Sequence, residues 1–172
     1  MNTKGDKIPQ GIAHIPPGEG RSLRVLGELV TCKTTSERTG GAYSLFEVAS
    51  QPGAGPPPHI QHREEEAFWV LQGRYEFLIE GRPLKASARS LIYIPRGTLH
   101  SHKNVGEGLG RMLVSQTPGG LYERFIEEVG APVKIGVEPP AFEDQLALQR
   151  IVAIAAQYGI EIPTPFPQQI QA

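Results

Sequence analysis

Four of the five histidines in this chain fall in two tight groups, His59 with His62 and His100 with His102. A run of three glutamates, Glu64 to Glu66, follows the first group. Imidazole nitrogens and carboxylate oxygens are donors that divalent transition metals accept when separate elements bring them to one point. Gln61 lies two residues after His59, so a strand would put both on one face and turn His62 away. His100 and His102 are also two apart, behind a Pro95-Arg96-Gly97 turn. They share a face at different depths, which gives His102 a lining or packing role beside His100. Glu66 opens an apolar run, where a buried carboxylate without a partner would be costly. Glu64 and Glu65 read as solvated charge, and His62 and His14 as exposed residues. Cys32 is the single cysteine, so no intramolecular disulfide can form, as suits a reducing compartment. Flanked by Thr31 and Lys33, it reads as a small packed or half-exposed thiol, since no partner base lies near it in sequence.

The elements that must position these groups are short and punctuated. Gln51-Pro-Gly-Ala-Gly-Pro-Pro-Pro58 can be neither helix nor central strand, so it is an extended loop that delivers His59. Tyr43–Ser50 reads as a strand with Phe46 and Val48 on one side and Leu45 and Glu47 on the other. Glu66–Gln72 and Arg74–Glu80, separated by Gly73, read as a hairpin. Ser90–Ile94, Leu99–Asn104 and Arg111–Gln116 complete a series of strands about ten residues apart. Such spacing argues for an antiparallel sandwich or barrel, whose inward residues converge. Strand parity turns Phe68 and Val70 inward with Glu66 and turns Trp69 outward. Phe46, Phe68, Trp69, Tyr75, Phe77 and Tyr93 are candidates for core or pocket lining.

After Pro118 the period changes. Residues 121, 122, 125, 126 and 129 mark one apolar helix face, ended by Gly130. Leu146, Leu148, Ile151, Val152 and Ala155 support a second helix within Ala141–Tyr158, behind a connector containing Pro132, Pro139 and Pro140. The segment Ile162–Pro167 is too rich in proline for regular structure. The expected organisation is an N-terminal arm over 1–20, a β-barrel over 21–117 and a helical extension over 118–172 packed across the barrel exterior.

The 172 residues fit one domain with an appendage, and 20 Gly with 16 Pro disfavour a helical bundle. A net charge of -1 with no basic stripe excludes the usual nucleic-acid binder. No secretory signal and no membrane-spanning apolar run are visible, so the expected location is cytoplasmic.

The punctuation and the donors together resemble the cupins. Their first motif runs Gly, five residues, His, one, His, three or four, Glu, six, Gly; here Gly53, His59, Glu66 and Gly73 fall in register. The second runs Gly, five, Pro, one, Gly, two, His, three, Asn; Pro95, Gly97, His100 and Asn104 match, with Arg89 in place of the leading glycine. The slot of the first motif's second histidine holds Gln61. The resemblance implies an all-β fold, the double-stranded β-helix or jelly-roll barrel, here with C-terminal helices. It also implies one divalent transition metal (Fe, Mn, Ni or Zn) held by His59, Glu66 and His100. Gln61 would be a weak fourth ligand or would orient the other three. The segment from Gln116 to Phe125 is similar to small quercetin 2,3-dioxygenase-like cupins. That likeness implies oxygen insertion into a small aromatic or enol substrate, with Glu66 also serving as base. A small-molecule-binding cupin without catalysis and a metal-assisted isomerase are the alternatives. Open barrel edges often pair between subunits, so a homodimer is expected.

Overall fold

Buried and exposed residues alternate along most strands of the computed structural model, which describes residues 11–133 and 145–163. The strands are β1 (Arg21–Val25), β2 (Glu28–Thr34), β3 (Ser44–Ser50), β4 (His59–Gln61), β5 (Glu65–Gln72), β6 (Arg74–Ile79), β7 (Arg82–Ser87), β8 (Leu91–Ile94), β9 (Leu99–Asn104) and β10 (Gly110–Thr117). Helix α1 (Leu121–Val129), β11 (Ala131–Pro132), helix α2 (Gln145–Ala155), a 3-10 turn (Ala156–Tyr158) and β12 (Ile160–Glu161) follow. All pairings are antiparallel. A seven-stranded sheet runs β11-β1-β2-β3-β10-β5-β8 and a five-stranded one β12-β4-β9-β6-β7. Phe46, Val70, Tyr75, Phe77 and Met112 are fully enclosed in the core between them.

The hairpin expected around Gly73 does not form. β5 pairs with β10 and β8 in one sheet, while β6 pairs with β9 and β7 in the other. A single residue is shorter than the two-residue loop that the tightest common hairpins use, so the chain bends and changes sheet instead. A Cβ at residue 73 would come 2.9 Å from the Gly110 Cα, so this close backbone crossing needs glycine. The true hairpin is β6–β7, turned by Glu80 and Gly81, both with positive φ.

The other parity expectations are met. Phe68 and Val70 are buried with Glu66, and Trp69 is 49% exposed. Trp69 and Tyr93 therefore belong to neither core nor pocket. Helix α1 buries Phe125 and Ile126. Within the expected second helix, residues 141–144 lie outside the described residues, as do the side chains of Leu146 and Leu148; Pro139, Pro140 and residues 164–167 of the proline-rich segment lie outside them too. The C-terminal part does more than cover the exterior. β11 extends one sheet beside β1, β12 extends the other beside β4, and α1 faces the interior cavity.

Glu64 is not solvated charge: it is 1% exposed, and its two oxygens accept the backbone N–H groups of Leu121 and Tyr122, each at 2.9 Å. These are unpaired donors of the first turn of α1, which has no side-chain cap of its own at Gly120. Sequence could not show this, because the helix start is 57 residues away. Burial pushes the Glu64 carboxyl up to about 7, against the pull of the two N–H groups. Glu64→Ala strands both donors, and unfolding in urea should show about 2–3 kcal/mol lost. Glu65 is half-buried and accepts the Tyr93 hydroxyl at 2.8 Å.

Candidate metal centre

The proline loop and the strand register bring the first two imidazoles together. His59 on β4 and His100 on β9 are directly opposed cross-strand neighbours, with ring centroids 4.3 Å apart. Glu66 reaches them from β5 in the facing sheet. Its Oε2 lies 2.8 Å from His100 Nε2 and 4.0 Å from His59 Nε2. One donor atom from each of the three residues falls within 4.8 Å of the others.

Each imidazole is locked from behind. His59 Nδ1 donates to the Pro57 carbonyl and His100 Nδ1 to the Thr98 carbonyl, both at 3.0 Å. A carbonyl only accepts, so each Nδ1 carries the hydrogen, and in the neutral ring Nε2 presents its lone pair to the cluster. Backbone anchoring of this kind is how metal-binding histidines are oriented. Gln116 Nε2 donates to Glu66 Oε1 at 2.8 Å, leaving Oε2 aimed at the imidazoles.

The charges follow from this packing. Burial, with the nearby His100, pulls His59 down to about 4. Burial alone would raise Glu66, but His100, His59 and Gln116 outweigh it and hold the carboxyl near 2. Burial opposes protonation of His100, yet the adjoining Glu66 charge wins and raises its pKa. The 2.8 Å approach of His100 Nε2 to Glu66 Oε2 lacks the alignment of a hydrogen bond, and both atoms are buried with no hydrogen-bond partner. Two imidazole nitrogens and one carboxylate oxygen, buried and under-satisfied, fit a divalent transition metal and match a facial set that leaves coordination positions open.

A pH dependence follows for the chelator-treated chain. Between pH 6.5 and about 4 the unfolded chain protonates His59 and the folded one does not, so stability falls as pH falls through that window. Glu66 continues the loss from 4.5 towards 2. His100 acts oppositely: its contribution is full below 6.5 and disappears as pH rises through its raised value. Glu64, raised to about 7, also acts oppositely, gaining stability as pH falls from 7 to 4.5, so the His59 part is read as a difference: between pH 7 and 4, urea unfolding should show the wild type losing of order 3 kcal/mol at most relative to His59→Asn.

Gln61 shares the inward face of β4 with His59 and is 3% exposed, and its Nε2 has no hydrogen-bond partner. His62 points out and pairs with Glu161 at 2.7 Å. His102 is buried behind His100 and, with Glu28, lines the same cavity. Glu28 escaped the sequence reading; the one available signal was an acidic residue opening a strand whose next inward position is Val30. Cys32 lies away from the cluster, and burial with the Glu123 and Glu127 charges pushes its thiol up to about 11, as suits an unreactive group.

The cavity encloses about 630 Å³ including its open mouth. Its wall is mostly aliphatic and aromatic, with Tyr122 and Phe125 of α1 and Ile160 of β12 closing one side. Glu28, His59, Gln61, Glu66, His102 and Gln116 are its polar members, and no lysine or arginine lines it among the described residues.

The cupin domain family matches residues 46–115, the span that holds both motifs and all three donors. Residues 46–115 are a cupin domain. Among curated proteins, the cupin is similar to a quercetin 2,3-dioxygenase of Bacillus subtilis (strain 168), 24% identical over 139 residues. That match covers 81% of this chain but only 41% of the relative's length. Solved structures show the same jelly-roll fold. A predicted oxalate decarboxylase of Thermotoga maritima superposes with a TM-score of 0.58 at 18% identity, covering 62% of this chain and 99% of that one. KdgF of a Halomonas species gives 0.57 at 19%, with 63% and 96% covered. The polyketide cyclase RemF of Streptomyces resistomycificus gives 0.55 at 17%, with 78% and 88% covered. No described helix is long and apolar enough to cross a membrane.

Proposed function

We propose that this cupin is a metal-dependent, dioxygenase-type enzyme acting on a small aromatic or enol substrate. The observation that carries the reading is the convergence of His59, Glu66 and His100 beside a mostly apolar cavity that no lysine or arginine lines among the described residues. His59 Nε2, His100 Nε2 and Glu66 Oε2 would hold the cation, and Gln61 is a neutral amide close to the histidines that weakens or orients the set. When bound, a divalent transition metal supplies Lewis acidity to a substrate oxygen and, if redox-active, access to dioxygen. The chain's own groups do the rest. Proline and aromatic walls exclude water and hold a flat apolar body. Glu66 Oε2 is placed to take a proton from a substrate hydroxyl, and its low proton affinity restricts it to hydroxyls that are already strongly acidified.

The charge of the wall favours this reading over a dianionic substrate such as oxalate. A bound divalent cation would be offset in part by Glu66, while Glu28 adds a further negative charge and no lysine or arginine lines the cavity among the described residues to answer a second carboxylate. The test is metal analysis followed by oxygen-uptake assays on flavonols and enediols after reconstitution with Fe(II), Mn(II) or Ni(II). Stoichiometric metal with oxygen uptake supports the proposal. No metal leaves a small-molecule-binding cupin, and metal without oxygen uptake points to an isomerase.

The cupin also reads as a homodimer. Strand β8 ends the seven-stranded sheet, and Leu91 and Tyr93 on it adjoin Trp69 and Leu71 on β5, all more than 40% exposed. Antiparallel β8–β8 pairing about a twofold axis would join two free edges and cover both apolar strips at once. Light scattering should give twice the chain mass, and Leu91→Lys should return it to one.

A further inference from the structure

Two carboxylate–imidazole pairs cross the interior between the sheets, and only one of them belongs to the metal cluster. In the second, Glu28 of β2 reaches His102 of β9, with His102 Nε2 3.1 Å from Glu28 Oε1. The same oxygen accepts the Ser50 hydroxyl at 2.5 Å, and Ser50 accepts the Tyr75 hydroxyl at 3.2 Å. Glu28 and His102 are each 6% exposed, and both line the cavity. His102 Nδ1 is buried with no hydrogen-bond partner. A fold needs no such pair here, because an apolar couple of the same volume would join the sheets without burying a carboxylate. No third donor stands beside it among the described residues, so it is not a second metal site. His100 and His102 are two residues apart on one face of β9, which places the two pairs roughly 7 Å apart. Phe68 spans them, its ring centroid 6.1 Å from that of His100 and 5.5 Å from that of His102.

We infer that Glu28, positioned by Ser50 and His102, is a specificity-determining residue that accepts a hydroxyl of the guest at the end of the cavity away from the metal cluster. A guest that reaches both pairs then carries two oxygens about 7 Å apart, one directed to the cluster and one to Glu28, with a flat body against Phe68. The cluster-side oxygen rests on the function proposed above; the Glu28 contact does not.

The test uses the full chain after chelator treatment, so its outcome is independent of metal loading. 2-Naphthol and 2-methoxynaphthalene are titrated against it, with binding followed by probe fluorescence. The two probes differ in a donated hydrogen, and the expected preference of the wild type for the naphthol is about tenfold or more. Glu28→Gln should cut that preference to about threefold or less while the ether binds as before. A general weakening of the fold would lower both affinities together and leave the ratio unchanged. No preference in the wild type, or a preference that survives Glu28→Gln, overturns the assignment. Should Glu28→Gln fail to fold by circular dichroism, Ser50→Ala takes its place. A reduced ratio then supports the assignment and an unchanged one overturns it. Metal content and oxygen uptake, measured separately, report on the proposed function alone.

Discussion

Glu66→Gln should lower the affinity of the chain for Zn(II) or Ni(II) by about 100-fold or more, read by calorimetry and by metal retained through gel filtration. The substitution keeps the side-chain volume at a position that is 4% exposed and removes the one anionic donor of the cluster. Two neutral imidazoles facing each other, each tethered through Nδ1, remain. They do not balance a divalent charge in a buried site. A ligand that binds the folded state alone raises the melting temperature, so added metal should stabilise the wild type and leave the variant unmoved. Equal affinity in the two proteins would place the metal elsewhere and remove the basis of the proposed chemistry.

Phe68→Ala should destabilise the chain by about 3–5 kcal/mol, as expected for deleting a fully buried ring whose space cannot close. Phe68 is 2% exposed, sits between β8 and β10 in the ladder and meets Phe77 edge-on at 5.2 Å. The measurement is urea unfolding, with a lower midpoint at unchanged slope. The same ring packs on His100 and His102, so a second effect follows. With that support gone the imidazoles gain freedom, and metal affinity should fall about tenfold even where the variant is folded. A stability loss below about 1 kcal/mol would mean that the interior can repack around the gap.

How far the chain could be read in advance differs from residue to residue. His59, Glu66 and His100 were recognisable because they and the glycines and prolines around them match the two cupin motifs, and a two-residue period then assigns faces. The same period placed Phe68 inward, Trp69 outward and His102 behind His100. Helix α1 was visible in its apolar face and its closing glycine.

Other features depended on which strands meet. Around Gly73 both strands were visible, but their division between two sheets was not, because sheet membership follows from the whole set of pairings. Glu64 looked like one of three equivalent charges until α1 folded back and left its first N–H groups needing an acceptor. Glu28 lies 74 residues from His102, and no local pattern encodes a contact over that distance. Periodicity and turn chemistry act between near neighbours and reveal which side chains face inward. The groups they meet there are set by long-range packing, in which each strand's partners are chosen by the burial of all the others at once.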